Sequence, residues 1–502
     1  MTKIPQYTKL LELYKEITLL NNINGVLYWD FEVMMPKKGT EQRSEELAYM
    51  SGLIHERNIS PQIGKLLKKI QEHKSFDDLS FQQKRNVELI MRDYEKATKI
   101  PVAFAKELAK HGAISTEHWK TAKAKADFSI FRDDLAKMIE LKKQEAAYLN
   151  PDGDPYDVLL DDYEYGFNKK IYDKIFAEAK SGLTPLIQSL VTATNQPDDS
   201  LILRKCPVRV QTALAHDVAA FVHYDLNAGR IDTAVHPFTT GYFDDVRITI
   251  AFDENDFTNS FFATMHEVGH ALYEQNIAPE FKYQPIGKAT SSAMHEGQAR
   301  FIENIIGRNP AFWEFYLEKF KKITGKIFKD VQLEPFAHAI NKVVPSKIRI
   351  HADPLTYSMH IILRYELEKA LFADKLTVDE LPSFWNEKME EYLGIEIEND
   401  AEGILQDTHY AWGLFGYFPT YALGSYYNAQ FLKVLKKDLP TWEDQLREGK
   451  IQAILDWLNK NIRRVGKLYD PLDLVKRVTG EDFTAKYFVE EVKNKYTKLY
   501  GL

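Results

Sequence analysis

Apolar residues along the chain recur mostly with the spacing of a helix. Near the N-terminus, apolar residues at helical spacing would share one buried face of an α-helix: Leu10, Leu13, Tyr14, Ile17 and Leu20. The same spacing returns through residues 40–150 and in the C-terminal part of the chain. No glycine- or serine-rich linker and no internal repeat separates these segments. The pattern therefore predicts a mainly α-helical protein with a single domain over residues 1–502, which two helical lobes could subdivide.

One segment breaks the helical spacing. In residues 245–252 (DVRITIAF) apolar and polar side chains alternate, which places Val246, Ile248, Ile250 and Phe252 on one face. Such alternation is typical of a half-buried β-strand. The preceding residues 239–244 could supply a turn and a partner strand. We therefore expect a small antiparallel β-sheet within the helical protein.

The segment after this strand carries the strongest candidate chemistry. Residues 258–275 have helical spacing and contain HEVGH, so His266 and His270 lie one turn apart on the same helix face. Two neutral imidazoles at this spacing can bind one Zn²⁺, and Glu267 beside them can act as a base. Gly269 costs a helix roughly 1 kcal/mol relative to alanine, which predicts a close backbone approach. The alternative is two histidines that are hydrogen-bonded on an ordinary helix face.

A catalytic zinc site needs a third protein ligand and an open position. Residues 291–300 (SSAMHEGQAR) predict a second helix that begins at a serine cap. Glu296 lies 26 positions after His270, a separation that lets this helix pass the same ion. A carboxylate from a later helix commonly accompanies HExxH in zinc peptidases. The predicted metal site lies within residues 258–310, with Glu296 preferred as the third ligand and the adjacent His295 as its competitor.

Composition excludes several function classes. The chain is 44% apolar and 27% charged with a net charge of -8, so it has no electrostatic footprint for nucleic acid. No apolar run approaches the ~18 residues of a membrane span, and no secretory signal is visible at the N-terminus. The single cysteine, Cys206, suits a reducing compartment. We therefore expect a cytoplasmic protein without nucleic-acid or membrane partners.

Several further sequence blocks occur in order along the chain. Together with the two histidine motifs they are YWDFEVMMPKKGTEQR (28–43), HPFTTG (236–241), DVRIT (245–249), HEVGH (266–270), HEGQAR (295–300), IRIHAD (348–353), GILQDTHY (403–410) and GYFPTYALG (416–424). This set resembles the carboxypeptidase Taq family of zinc metallocarboxypeptidases over nearly the whole chain. Tyr410 departs from the family, which usually has tryptophan there, so no role is assigned to an indole.

The resemblance implies a two-lobed helical fold with a deep central groove, similar to angiotensin-converting enzyme and the oligopeptidases. It implies release of single C-terminal residues from peptides, with broad specificity and with proline disfavoured next to the cut. Zinc, or alternatively cobalt, is the implied metal, and a homodimer is the implied assembly. In such an enzyme His266, His270 and Glu296 would hold the metal and Glu267 would be the general base.

A carboxypeptidase must recognise a free terminal carboxylate, and the planar guanidinium of arginine binds carboxylates bidentately. Arg349 is the first candidate, because alternation in residues 347–351 would place it on the polar face of an extended segment. Its alternative role is a surface arginine or an internal partner of Asp353. Arg247 on the polar face of the predicted strand is the second candidate, and it could equally pair with Asp245.

Asp353 followed by Pro354 predicts the start of a helix over residues 355–373. Tyr357 falls in its first turn and matches, by chain order, the tyrosine that donates to the oxyanion in the angiotensin-converting enzyme group. Such a donor is typically worth ~3 kcal/mol, and Tyr421 is the alternative donor. Further side chains are expected to line the product side of the site: His236, Arg247, Gln406 and His409.

Two other functions compete with this hypothesis. An endopeptidase or dipeptidyl-peptidase on the same scaffold would still cut a peptide with a blocked C-terminus, which a carboxypeptidase would leave intact. A non-catalytic helical scaffold with a structural metal site would have four protein ligands and would need no base. Glu267 beside the histidines argues against that second alternative.

Overall fold

The structure, a computed structural model, describes residues 4–502; residues 1–3 of the predicted domain lie outside the described part. Local capping explains several helix starts. Before the fourth helix, for example, the Ser80 hydroxyl accepts from the Gln83 N–H, while the Gln83 side chain accepts from the Ser80 N–H. The helices before the sheet are α1 (Pro5–Val33), α2 (Thr40–Asn58), α3 (Pro61–Gln71), α4 (Phe81–Lys99), α5 (Val102–Lys125), α6 (Ser129–Leu149), α7 (Pro155–Tyr163), α8 (Lys169–Val191) and α9 (Val208–Phe221).

The sheet has three strands, β1 (Gly229–Thr233), β2 (Phe238–Tyr242) and β3 (Asp245–Ile250). The predicted pairing of β2 with β3 is confirmed as antiparallel. The prediction of a purely antiparallel sheet is wrong, because β1 pairs in parallel with the other edge of β3. The chain returns along β2 between these two strands, so β1 and β3 run in the same direction. The sheet is therefore mixed, with β3 in the centre.

The helices after the sheet complete the fold. They are α10 (Phe257–Asn276), α11 (Ser292–Arg300), α12 (Pro310–Thr324), α13 (Leu333–Ala339), α14 (Tyr357–Phe372), α15 (Leu381–Leu393), α16 (Phe418–Asp438), α17 (Trp442–Arg447), α18 (Gln452–Leu458), α19 (Pro471–Thr479) and α20 (Lys486–Tyr500). Two stretches of π-helix, Phe301–Gly307 and Asn459–Arg463, continue α11 and α18. The prediction of a mainly α-helical protein is confirmed.

Apolar side chains form two clusters in the described residues. The large one joins the helices from α4 onward with the sheet, and it includes Met265, Val268 and Leu272 of α10. The small one joins α1, α3 and α4, and it includes Leu10 and Tyr14 of the predicted apolar face. Burial of α10 on several sides fixes the helix that carries the histidine motif. A division into two lobes around a deep groove stays a prediction.

The helices of residues 4–502 differ in length and in apolar character. None of these helices combines the length and the apolar character that a bilayer span requires.

Candidate metal centre

The two histidines and the third candidate ligand are held by helices whose starts are capped. The Asp256 side chain accepts from the Thr258 N–H at the start of α10. The Ser291 hydroxyl accepts from the Met294 N–H at the start of α11. Both helices lie where the sequence predicts them. A serine cap at position 291 therefore sets the turn of α11 that carries the glutamate.

His266, His270 and Glu296 come together at one point. Their ligand atoms all lie within 4.8 Å of one another. The Glu296 Oε2 atom is 3.8 Å from the His266 Nε2 and 3.7 Å from the His270 Nε2. Ligands of a tetrahedral zinc ion are separated by roughly 3.4 Å, given metal–ligand bonds of about 2.1 Å. The two nitrogens and one carboxylate oxygen therefore fit a catalytic zinc site that keeps an open position.

His266 is oriented by a carboxylate that the sequence analysis missed. The His266 Nδ1 lies 2.9 Å from the Glu303 Oε2, so Nδ1–H donates to Glu303 and Nε2 is free to bind metal. Burial lowers the pKa of His266, but Glu296 and Glu303 outweigh burial and raise the pKa to about 9. Glu303 lies seven positions after Glu296, on the same helix face. That spacing is the sequence signal that could have found it.

Replacing Glu303 with glutamine is expected to weaken metal binding by about 10- to 100-fold. A neutral amide still accepts the Nδ1–H of His266, but it no longer makes the imidazole a stronger electron donor. Competition with a chromophoric chelator measures the affinity directly. Glu318→Gln on the exposed side of α12 is the matched control. Equal affinity of the two variants would exclude an orienting role for Glu303.

His270 is oriented by a second histidine. The Nδ1 atoms of His270 and His295 are 2.5 Å apart, and the His295 Nε2 is 3.0 Å from the Glu274 Oε1. One tautomer of each ring satisfies all these contacts: His270 donates to His295, and His295 donates to Glu274. The His270 Nε2 then points its lone pair at the metal position. In this geometry His295 contacts a candidate ligand, and Glu296 rather than His295 lies where a third ligand could bind.

Glu267 lies on the same helix and is 6% exposed. Its Oε2 accepts a 2.6 Å hydrogen bond from the Thr239 hydroxyl of β2, and that hydroxyl lies 3.0 Å from the Glu267 carbonyl oxygen. Burial raises the pKa of Glu267 above its ordinary value. A buried carboxylate with a raised pKa is a suitable proton acceptor near neutral pH. The β2–β3 hairpin therefore fixes the rotamer of the candidate base.

Glu296 is held in place from its own helix. Arg300 donates through Nε to the Glu296 Oε1 at 2.6 Å, which leaves Oε2 for the metal. The Arg300 guanidinium also lies 4.4 Å from the ring centroid of Tyr357. Arg300 therefore connects the third ligand to the tyrosine that the sequence nominates as oxyanion donor.

Arg349 is buried inside the protein. The predicted extended alternation in residues 347–351 is wrong, because residues 349–351 form a 3-10 turn in which Arg349 is 7% exposed and His351 is exposed. Five alternating residues are too few to distinguish an extended segment from a 3-10 turn. The Arg349 N–H donates to the Gln406 Oε1 at 2.9 Å, and its side chain turns inward to Asp407. The suggested partner Asp353 instead caps the next helix turn.

Asp407 lies between two arginines. Arg349 donates to its Oδ1 at 2.8 Å, and Arg364 donates to its Oδ2 at 2.5 Å. Although burial raises it, these two guanidiniums hold the pKa of Asp407 well below its ordinary value. Arg349 also donates through Nη1 to the Tyr357 hydroxyl at 2.8 Å. The three charged groups carry one net positive charge, so the cluster can still attract a substrate carboxylate.

The aromatic candidates surround this cluster. The Arg349 guanidinium lies 5.2 Å from the Tyr421 ring centroid, and the His409 Nε2 lies 3.4 Å from the Tyr421 hydroxyl oxygen. Burial lowers the pKa of His409 to about 4, so its imidazole is neutral at pH 7. Gln406 uses its carbonyl oxygen for Arg349 and Arg364 and its amide for two backbone carbonyls. All of these contacts lie within the protein, so they give Gln406 a structural role in holding the two arginines.

The two remaining candidates lie on the sheet side. Arg247 makes a bidentate pair with Asp245 at 2.8 Å and stacks on Trp29. The pair with Asp245 is the one that the sequence offered as the alternative to a substrate-binding role. Its side chain nevertheless lines the cavity that contains His270 and Glu296. His236 is exposed and does not line that cavity. The structure therefore brings Arg247, but not His236, to the metal centre.

Glu164 anchors the start of α11 from α7. It is fully buried and accepts from the Ser291 hydroxyl, the Tyr427 hydroxyl and the Ala293 N–H. Burial raises the pKa of Glu164 to about 7, whereas a glutamate in the unfolded chain titrates near ~4.3. The folded protein therefore holds this proton at a pH where the unfolded chain has released it.

This difference predicts a pH dependence of stability. The stabilisation from proton binding is fully present below about pH 4.3 and is lost as the pH rises through about 7, by up to about 4 kcal/mol. Urea unfolding at several pH values measures the slope in wild type and in Glu164→Gln. The variant should lack this component of the decline. If the free energy of unfolding changed with pH in the same way in both proteins, the prediction would be wrong.

Two imidazoles and a carboxylate around one point, with a buried second carboxylate beside them, define the class as a helical metal-dependent hydrolase. The sequence profile of the carboxypeptidase Taq (M32) metallopeptidases matches residues 9–496. Carboxypeptidase 1 of Bacillus subtilis (strain 168) is 41% identical over 492 residues, which cover 98% of each chain. Thermostable carboxypeptidase 1 of Thermus thermophilus is 38% identical over 511 residues, covering both chains completely.

Solved structures agree with this result. The M32 carboxypeptidase from Deinococcus radiodurans R1 superposes with a TM-score of 0.96 at 33% identity, covering 99% of this chain and 100% of the other. The Pyrococcus furiosus carboxypeptidase superposes with a TM-score of 0.95 at 35% identity, covering 99% of both chains. The chain belongs to the carboxypeptidase Taq family. It is a metallocarboxypeptidase, a hydrolase that uses a divalent metal and acts on peptides.

Proposed function

We propose that this enzyme releases single C-terminal residues from peptides by zinc-dependent hydrolysis, with broad specificity that does not favour proline. The observation that carries the proposal is the convergence of His266, His270 and Glu296 beside the buried base Glu267. Two nitrogens and one carboxylate oxygen suit Zn²⁺, and Co²⁺ accepts the same ligands. When bound, the metal would polarise the scissile carbonyl and lower the pKa of a water molecule.

The protein's own residues then move the proton and bind the charges. Glu267 takes a proton from the attacking water and passes it to the leaving amine. The Tyr357 hydroxyl, which accepts from Arg349, has its own hydrogen free to donate to the developing oxyanion. Tyr421 is the alternative donor. This assignment explains why the arginine cluster lies against the tyrosine.

The terminal carboxylate is bound beside Arg349 in this proposal. The positive charge of Arg349 and Arg364 exceeds the negative charge of Asp407 by one, and a second anion offsets it. Tyr421 and the neutral His409 offer further hydrogen-bond partners around that position. Arg247 and Gln406 support the site through their internal contacts. His236 stays a weaker candidate, since it is exposed and has no contact with the centre.

The remaining features of the proposal concern the whole chain. We propose one peptidase domain over residues 1–502, with helical lobes flanking a groove like that of angiotensin-converting enzyme and the oligopeptidases. The groove is supported by a cavity of about 700 Å³ next to Glu296. A homodimer and a cytoplasmic location are also proposed. A reducing compartment is supported by the single cysteine, Cys206, which is buried and unpaired.

A peptide pool tests direction and metal dependence together. The purified enzyme is incubated with peptides that have free or amidated C-termini, with and without a chelator, and mass losses are followed. We expect stepwise loss of one C-terminal residue from the free peptides only, and no loss after chelation. Cutting of the amidated peptides would instead indicate an endopeptidase or dipeptidyl-peptidase. Chelator-insensitive cutting would contradict the metal mechanism.

A further inference from the structure

Two lysines line the same cavity as the metal ligands. Lys288 precedes α11, and Lys467 follows the second π-helix; both border the cavity of about 700 Å³ that includes His270 and Glu296. The Lys467 N–H donates to the Ile286 carbonyl at 2.9 Å, which holds the two loops together. Lys288 is exposed and Lys467 is half-buried, so a ligand in the cavity can reach both ammonium groups.

Neither lysine forms a close ion pair with an acid, although Asp93 attracts both of them electrostatically. Within residues 4–502, no carboxylate oxygen lies within 4.0 Å of either ammonium nitrogen. Lys288 hydrogen-bonds with the Tyr14 side chain, and its Nζ lies 5.4 Å from the centroid of that ring. By contrast, Lys282 in the same connection forms an ion pair with Asp244. A pair of cations in a concave site, with no carboxylate in direct contact, attracts an anionic ligand.

The acids that line this cavity already have partners. Asp245 pairs with Arg247, Glu274 contacts His295, and Glu296 accepts from Arg300. They therefore do not neutralise the two lysines directly. The two ammonium groups are therefore free to contact an anion of the substrate directly.

The position of the lysines indicates which part of the substrate carries that anion. Tyr417 lines their cavity, and on its other side it packs against Tyr421 at 5.1 Å between ring centroids. Tyr421 belongs to the Arg349 cluster. Arg349 and Tyr421 do not line that cavity, so a peptide that is cut at the metal with its terminal carboxylate beside Arg349 would extend its other end into the cavity of the lysines. The residues there are those upstream of the scissile bond.

We propose that Lys288 and Lys467 bind an acidic side chain upstream of the cleaved bond, so that this carboxypeptidase prefers substrates with Asp or Glu in that segment. The inference rests on the proposed function, because it takes the direction of the peptide from the Arg349 site. It names a substrate class for the enzyme: short peptides with a free C-terminus and an acidic residue within a few positions before the released one.

Matched peptides test this preference. Five-residue peptides carry either Glu or Gln at the second, third or fourth position from the C-terminus and are otherwise neutral. For wild type we expect kcat/KM to be about tenfold higher for Glu than for Gln at one of these positions, mainly through KM. About 0.5 M salt should reduce the ratio, since it screens charges in an open cavity.

Variants assign the preference to the lysines. The double variant Lys288→Gln, Lys467→Gln should bring the Glu-to-Gln ratio close to one. The control Lys282→Gln removes one positive charge in the same connection, half the change of the double variant, and should keep the ratio of wild type. A double variant that keeps the ratio would overturn the proposal. So would a loss of activity that is equal on all peptides, because the lysines would then bind the terminal carboxylate itself.

Failure of the proposed function gives a different result. In that case wild type would release no C-terminal residue from the Gln peptides, which have no acidic side chain. Release from the Gln peptides with a Glu-to-Gln ratio of one in wild type would leave carboxypeptidase function intact and would overturn only the lysine subsite.

Discussion

Glu267→Gln is expected to lower kcat by about 10³-fold while the enzyme keeps its metal. Glutamine has nearly the same shape and still accepts from the Thr239 hydroxyl, so α10 and its histidines should not move. The amide cannot take a proton from water, and that step depends on the buried carboxylate. Steady-state kinetics on a short peptide measures the loss, and metal analysis of the same sample measures occupancy.

The control for this variant is Glu280→Gln, which removes the same charge at an exposed position in the connection after α10. It should retain the wild-type rate. A Glu267→Gln enzyme with full metal and most of its activity would exclude Glu267 as the general base. A variant without metal would indicate that the carboxylate is needed to build the site.

The metal ligands could be predicted because helical geometry is local. His266 and His270 are one turn apart in any α-helix, and the serine cap before α11 sets the position of Glu296. The spacing of the histidines and the position of the capping serine can each be seen within a few residues of the sequence. Burial of the apolar face of α1 was predictable for the same reason. The helices and the proximity of the three candidate ligands therefore followed from a helical repeat, and their role as metal ligands stays a prediction.

Contacts between distant segments could not be predicted in this way. Asp407 is 58 residues from Arg349, and nothing near Arg349 indicates that it turns inward toward such a partner. Strand β1 has no clear alternation, so its parallel pairing with β3 depends on the path of the chain around β2. Glu303 was an intermediate case. Its spacing from Glu296 was visible, but its contact with His266 depends on how α10 and α11 cross.

The close crossing of α10 and α11 predicts that Gly269→Ala has the largest effect on stability. At Gly269 a Cβ atom would lie 2.5 Å from the Ala299 Cα and 2.6 Å from the Gln298 carbonyl oxygen. Backbone atoms cannot rotate away as a side chain can, so Gly269→Ala must push α10 and α11 apart. Overpacking of this kind costs about 3 kcal/mol or more. The close approach that the sequence suggested at this glycine is thus a requirement of the metal centre.

Gly269→Ala should also weaken metal binding. Position 269 precedes His270 on α10 and contacts α11 three residues after Glu296. Separation of the two helices would therefore lengthen the 3.7 Å distance between the His270 Nε2 and the Glu296 Oε2. Urea unfolding and chelator competition measure the two effects on one preparation. Gly52→Ala in α2 is the control, because a Cβ there meets no atom within 4 Å and should stabilise the helix by roughly 0.5–1 kcal/mol. If Gly269→Ala were as stable as this control and bound metal equally well, the helices could not cross as closely as described.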